Sequence, residues 1–320
     1  MALDLSSPVV REKLKKIAED PVLWAKAFVV TYDSAKKKDT PWTARWYQAE
    51  MLRDMSLKKV YLCGRRTGKS ESMVIEALWH VYTHRNFVHM FVTPYENQIR
   101  LLFDRMKELI NSSPLLKSRM TRCVNNPHRI ELDNNSKIIG FTTGASSGSG
   151  GASLRGQRCD WISLDEMDYM NDSDFDTVTA LCAERDDIGM TCSSTPTGAR
   201  SRFYQICTNR RLGYTLHHHP STHNPNWSKA MEEEFRAQLS ESGYQHEIMA
   251  EFGDEEAGVF NKVYVDKAMT YDYYAYNELT GIQRDRCALE NKYPTILMPK
   301  PGENYPANPF RTMGVKSLRP

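Results

Sequence analysis

The run Val60-Tyr61-Leu62-Cys63-Gly64-Arg65-Arg66-Thr67-Gly68-Lys69-Ser70 constrains this chain more than any other stretch. A short apolar segment ends in a glycine-bearing turn, and Gly-Lys-Ser opens a helical pattern. A strand, turn and helix joined in this way point the N–H groups of the turn and of the helix N-terminus at one place. Those donors, with the helix dipole behind them, favour phosphate. In such a loop Lys69 reaches the outer phosphates of a nucleoside triphosphate, and the Ser70 hydroxyl ligates Mg2+. The spelling departs from G-x-x-x-x-G-K-[ST]: Cys63 stands where the first glycine belongs, and Gly64 comes one step later. The expected phosphate-binding set is Gly64, Arg65, Arg66, Thr67, Gly68, Lys69 and Ser70.

A chain of 320 residues is long enough for one large or two smaller domains. Its 40% apolar and 26% charged content is that of a soluble globular protein. A net charge of +2 means that nucleic-acid binding has to rest on local basic patches, not on bulk charge. The cysteines are odd in number, and none form C-x-x-C, which fits a reducing compartment. No apolar run approaches the ~20 residues of a membrane span. The N-terminus lacks the layout of a signal peptide.

Along the chain, Pro8 to Val30 reads as two helices broken at Asp20-Pro21, and Tyr32 to Pro41 as a polar connector. A helix is expected over Arg45–Met55. Strands are expected over Lys59–Cys63, Phe87–Val92, Asp160–Leu164 and Gly189–Ser193. Lys69–His84 and Tyr95–Ile110 have helical apolar spacing. Asp133-Asn134-Asn135-Ser136 reads as a hairpin turn between Arg129–Leu132 and Lys137–Phe141. Strands alternating with helices predict an α/β fold, a mostly parallel sheet flanked by helices. From Thr197 the pattern becomes more helical, with Ser228–Leu239 and Glu241–Ala250 the clearest helices.

Trp161-Ile162-Ser163-Leu164-Asp165-Glu166 is a mostly apolar strand closed by two acids, the pattern of a Walker B strand. Asp165 is then placed to hold Mg2+ and Glu166 to orient the attacking water. Trp46-Tyr47-Gln48, the 64–70 loop, Leu154-Arg155-Gly156, Leu164-Asp165-Glu166 and Ser194-Thr195-Pro196-Thr197-Gly198 follow one another in order. This ordered set resembles the ATPase half of a tailed-phage large terminase, the motor that packages DNA, over roughly residues 40 to 260. Terminases are similar in having basic residues inside a deviant phosphate loop.

The resemblance implies a P-loop NTPase fold of the glutamate-catalysed, RecA/helicase-like kind with a small helical lid. It divides the chain into a helical lead-in with the adenine-side glutamine (1–58), the ATPase core (59–199), the lid (200–259), a linker (260–310) and the start of a nuclease domain (311–320). It implies ATP and Mg2+ as cofactors. The implied partners are double-stranded DNA bound without regard to sequence, a portal protein and a small terminase subunit. The resemblance also implies a homo-oligomeric ring, a pentamer on the portal, and action in the host cytoplasm.

Residue by residue, Gln48 resembles the glutamine that recognises adenine; an exposed helix glutamine is the plainer reading. Arg155 resembles an arginine finger reaching a neighbouring subunit's site, although an arginine beside a Gly/Ser-rich loop also suits a DNA phosphate or a backbone carbonyl. Thr195 resembles the residue that senses the γ-phosphate, and Thr-Pro is also an ordinary turn. Lys36–Lys38, Arg200, Arg202, Arg210 and Arg211 are basic candidates for DNA or a solvated face. His217-His218-His219 lacks a carboxylate or cysteine at ligand spacing, and acids around Asp172 suit a helix start better than a Ca2+ loop. Arg311-Thr312-Met313-Gly314-Val315 resembles the first nuclease strand of terminases, with Lys316 where a metal-binding aspartate would follow. An ATPase without DNA cutting of its own is therefore expected. The competing readings are a helicase-like ATPase and an assembly module with a static nucleotide.

Overall fold

A computed structural model describes residues 7–143 and 157–253. The chain divides into two units, Met1–Asp254 and Glu255–Pro320, and all described residues belong to the first. The expected linker, the nuclease-like strand at 311–315, Cys287 and Arg155 lie outside the described residues.

Two helices open the chain, α1 (Pro8–Glu19) and α2 (Pro21–Phe28). The break between them has a local cause. Proline can start a helix but not continue one, and the Asp20 carboxylate accepts hydrogen bonds from the N–H groups of Val22 and Leu23. The expected connector is instead an antiparallel pair, β1 (Val30–Asp33) and β2 (Lys38–Pro41), too polar and short to show alternation in the sequence. Next come α3 (Trp46–Arg53), β3 (Lys58–Cys63), α4 (Lys69–Thr83), β4 (Val88–Thr93) and α5 (Glu96–Ser112). After α6 (Pro114–Arg119) three strands follow, β5 (Met120–Asn125), β6 (His128–Leu132) and β7 (Lys137–Thr142). β6 and β7 form the expected hairpin, whereas β5 went unforeseen. It is an exposed edge strand with one partner, so burial imposes no pattern on it.

The remaining core elements are β8 (Trp161–Asp165), α7 (Asp172–Leu181), β9 (Gly189–Ser194) and α8 (Arg202–Thr208). The main sheet is completed by β10 (Thr215–His219), in the order β10-β3-β9-β8-β4-β7-β6-β5. From β10 to β7 every pair is parallel; β6 and β5 run antiparallel at the edge. Here the structure differs from the helical expectation for 200–259, since Thr215–His219 extends the core sheet beside β3. Helices α9 (Lys229–Gln238) and α10 (Glu241–Tyr244) follow, the latter running into a π-helical turn, Gln245–Met249.

Strand alternation splits the core into two. Tyr61, Cys63 and Phe91 point into one cluster with α2–α5, while Val60, Leu62, Met90 and Val92 point into the other with Phe203 and Ile206 of α8. Helix α4 is buried along nearly its whole length and carries Glu76 into this interior. Glu76 pairs with Lys59 at the foot of β3, both nearly inaccessible. Its Oε2 accepts from Thr191 Oγ1 at 2.8 Å, and Lys59 Nζ also donates to the Asp54 carbonyl at 3.0 Å. Breaking a buried pair of this kind typically costs about 3–5 kcal/mol, because it strands a charge.

Beside this pair lie His80 and His89, their Nδ1 atoms 3.2 Å apart, with His89 Nε2 2.9 Å from Ser163 Oγ. Burial above all, with the charge of Lys59 adding to it, holds His89 at about 3 and His80 well below the ordinary histidine value. Both rings are therefore neutral in the fold. The unfolded chain takes up protons below about 6.5, so the stability present above that pH is lost as pH falls from 6.5 toward 3. His89→Gln is expected to flatten this loss between pH 7 and 5 by on the order of 2 kcal/mol. Urea unfolding of both proteins at the two pH values measures it, and an unchanged difference contradicts it.

Candidate active site

The parallel register puts the site at the carboxyl ends of interior strands. β9 lies between β3 and β8, with Leu62 opposite Ser194 and Ser193 opposite Asp165. Loops leaving the carboxyl ends of three adjacent parallel strands share one crevice. Residues 95 apart in sequence meet there: Ser70 Oγ donates to Asp165 Oδ2 at 2.8 Å. Lys69 Nζ donates to Glu166 Oε1 at 2.8 Å. Glu166 N–H bonds Asp165 Oδ1 at 3.1 Å, and Ser194 Oγ contacts Glu166 Oε2 at 3.4 Å. Glu166 has a φ of 54°, a left-handed conformation that costs a non-glycine residue about 1–3 kcal/mol.

The loop itself is held by its carbonyls. Ser221 Oγ donates to the Arg65 carbonyl at 2.8 Å; Asn224 Nδ2 and Arg45 Nη1 both donate to that of Arg66 at 3.0 Å. Tyr47 Oη, at 2.7 Å, and Arg45 Nη1, at 3.1 Å, take the Thr67 carbonyl. Gln48 Nε2 donates to the Gly68 carbonyl at 3.2 Å. The N–H groups of Gly64 and Arg65 are bonded to the carbonyls of His219 and Glu247. Those of residues 66–70 have no protein acceptor among the described residues, and the last of them open α4. Donors left over beside a lysine and the hydroxyl of Ser70 fit a polyphosphate. The hydroxyl and the Asp165 carboxylate are hard oxygen ligands and fit Mg2+.

The displaced glycine has a steric reason. A Cβ on Gly64 would stand 2.4 Å from the Ile248 carbonyl oxygen and 2.7 Å from Ser221 N. Cys63 belongs to β3 and is fully buried, with burial pushing its thiol up to about 12, so it is a packing residue and not a reactive one. Gly68 has a φ of 87°, and a Cβ there would meet Gln48 Nε2 at 2.6 Å.

The expected residues thus fall as follows. Gly64, Thr67, Gly68, Lys69, Ser70, Asp165 and Glu166 converge. Gln48 is almost fully buried rather than an exposed helix residue; its Oε1 accepts from Arg45 N–H and its Nε2 holds the loop. Arg65 turns away onto Glu247, Nη2 to Oε1 at 2.9 Å, while Arg66 stays exposed at φ 61°. Thr195 is buried at the end of β9. Among the basic candidates, Lys36 pairs with Asp33, Arg202 with Asp172 and Asp176, and Arg200 bonds the Gly253 carbonyl; Arg210 and Arg211 are exposed. His217 pairs with Asp54 and His218 with the Met249 carbonyl.

Two cavities flank the start of α4. One, of about 390 Å³, is lined by Arg45, Gln48, Arg66 and Gly68. The other, of about 380 Å³, is lined by Ser70, Asp165, Glu166 and Gln98. Glu71 and Arg105 line both. Arg105 grips Glu71 with Nη2 at 2.7 Å and Nε at 2.8 Å, and Trp42 Nε1 donates to Glu71 Oε1 at 3.0 Å. A further cavity of about 390 Å³ around Lys59 and His80 is lined by neither the 64–70 loop nor the acidic pair Asp165-Glu166.

Charge completes the site. Burial alone would depress the Lys69 ammonium, but Asp165 and Glu166 outweigh it and hold its pKa above the ordinary lysine value. Burial raises Asp165, aided by the charge of Glu166 and opposed by Lys69. The lysine is therefore a fixed cation. Sequence reasoning missed Arg45, Ser221, Asn224, Glu247, Glu71, Arg105 and Asp168. Only Asp168 left a signal, a third acid in Asp165-Glu166-Met167-Asp168.

Sheet order, loop and paired acids define a P-loop NTPase. Residues 60–263 match the family model "Terminase large subunit, T4likevirus-type, N-terminal", and the chain belongs to that family. No curated protein matches it. The ATPase domain of the Thermus phage P74-26 large terminase is similar in fold, with 18% identity and a TM-score of 0.57 over 66% of this chain and 94% of that one. The large terminase of a second, thermophilic bacteriophage has 16% identity and a TM-score of 0.54 over 65% of this chain and 53% of its own. That terminase has also been solved with ADP and with ATP-γ-S. The bacteriophage HK97 large terminase has 12% identity and a TM-score of 0.59 over 73% of this chain and 55% of its own. The match thus spans little more than half of these last two proteins. The chain is the ATPase part of a phage DNA-packaging motor, and the family match sets the helicase-like alternative aside.

Gly64→Ala is expected to destabilise the protein by about 1–3 kcal/mol, the usual cost of overpacking. Cys63→Ala should leave the loop contacts intact. Thermal melts distinguish them, and a Gly64→Ala protein as stable as wild type refutes the steric account.

Proposed function

We propose that ATP is hydrolysed between the 64–70 loop and the end of β8, and that this drives double-stranded DNA past the subunit. The observation that carries it is the pair of contacts Ser70–Asp165 and Lys69–Glu166, which close the two motifs on one another. The N–H groups of residues 66–70 bind phosphate oxygens. Lys69 exchanges Glu166 for the outer phosphates, because a polyphosphate offers it more negative charge. Glu166 Oε1 is then free to accept a proton from water and orient its attack. Ser70 and Asp165 hold Mg2+, which when bound neutralises charge on the phosphate oxygens. Gln48 and Arg45 sit where the base and sugar enter, in the cavity beside Gly68. Thr195, at the end of β9, senses the γ-phosphate.

DNA contact is through backbone phosphates and independent of sequence, since a packaging motor moves any sequence. Arg210 and Arg211 are the exposed candidates. The partners are a portal protein, a small terminase subunit and further copies of the chain in a five-membered ring, acting in the host cytoplasm. Arg155, outside the described residues, is the finger for a neighbouring site.

Lys69→Ala and Glu166→Gln should each reduce ATP turnover to background in a phosphate-release assay, and retained turnover in both ends the assignment. Mixing Arg155→Ala with Glu166→Gln protein should restore part of the activity; no recovery in a demonstrated mixed oligomer argues against action across subunits.

A further inference from the structure

We propose that Asp168 is a positioning residue for hydrolysis. It ties the turn that carries Glu166 to the loop entering α8, so that the catalytic carboxylate and the start of α8 move together. The proposal rests on Glu166 being the water-orienting group.

Beyond β8 the chain makes a single 3₁₀ turn, Met167–Tyr169, closed by Tyr169 N–H on the Glu166 carbonyl at 3.1 Å. Asp168 lies inside this turn, only 7% exposed. Its Oδ2 accepts from Thr197 N–H at 2.6 Å and Thr197 Oγ1 at 2.7 Å, and its Oδ1 accepts from Ser201 Oγ. Three donors therefore converge on one carboxylate, and hydrogen bonds to a carboxylate are stronger than neutral ones. An amide in its place removes the charge that strengthens all three contacts and turns an N–H toward either Thr197 or the Ser201 hydroxyl.

Both ends of this tie matter. Ser201 is the N-cap of α8, its hydroxyl accepting from Tyr204 N–H. Thr197 follows Thr195 and Pro196 at the end of β9. Glu166 is thus bracketed by contacts from one segment, Ser194 of the strand on its own carboxylate and Thr197 of the following loop on Asp168. A left-handed glutamate persists only where its surroundings over-determine it. Asp168 supplies that determination two residues downstream. The segment it grips runs through α8 into β10, whose last carbonyl, that of His219, holds Gly64 N–H at 3.0 Å. Displacement of α8 therefore reaches the water-orienting carboxylate through Asp168 and the phosphate loop through β10.

The test is steady-state ATP hydrolysis with Mg2+ by the whole chain. Turnover by wild type, absent in Glu166→Gln, secures the underlying reading; its failure sinks that reading separately. Asp168→Asn should then lower kcat by about 10²-fold, the usual penalty for misplacing a catalytic group by an ångström. KM for ATP should stay within about threefold, since the three hydrogen bonds Asp168 accepts come from Thr197 and Ser201 and none from the phosphate loop. Thr197→Val combined with Ser201→Ala cuts the same tie from the other side and should show the same split, so the test survives poor folding of Asp168→Asn. The triple variant should be no slower than Asp168→Asn, because the changes share one interaction. A kcat for Asp168→Asn within about twofold of wild type overturns the proposal. So does a loss in kcat/KM carried wholly by KM, or a triple variant slowed by the product of the separate losses.

Discussion

Every carbonyl from Arg65 to Gly68 is taken by a protein donor, and the site depends on that. A peptide unit is planar, so fixing its carbonyl on one side fixes its N–H on the other. The holders come from two directions: Arg45, Tyr47 and Gln48 from the start of α3, Ser221 and Asn224 from the turn after β10. Because the donors are set before any ligand arrives, little reorganisation is left for binding.

The same economy governs the charges. Asp165 is buried at a strand end, an unfavourable place for a carboxylate, and it is held there by Ser70 and the nearby Lys69. Lys69 in turn stays charged because two acids face it. Neither charge is favoured alone in that position, and each is kept there by the other. The strain in the Glu166 backbone belongs to the same design, since a turn held from both sides keeps a carboxylate aimed.

Segments that sequence order places far from the loop prove to be its frame. β10 extends the sheet next to β3, and the π turn after α10 bonds Arg65 through both the carbonyl and the carboxylate of Glu247. The phosphate loop is thus shared between the core and the later part of the chain.

Local chemistry alone determined the strand–loop–helix at 60–70, the acidic strand end at 165–166, the break at Asp20-Pro21 and the hairpin at 133–136. Each rests on residues within a few positions of one another. The family resemblance was legible for the same reason, as an ordered set of short motifs. The place of β10 in the main sheet was not, because the pairing of His217-His218-His219 with β3 joins segments more than 150 residues apart. Nor was the reason for the glycine at 64, which is that Ile248 and Ser221, more than 150 residues away in the chain, crowd that position. The fate of Gln48, the diversion of Arg65 to Glu247 and the tie at Asp168 were likewise decided by packing. Side-chain partners that meet only after the sheet has closed leave no periodic trace in the sequence.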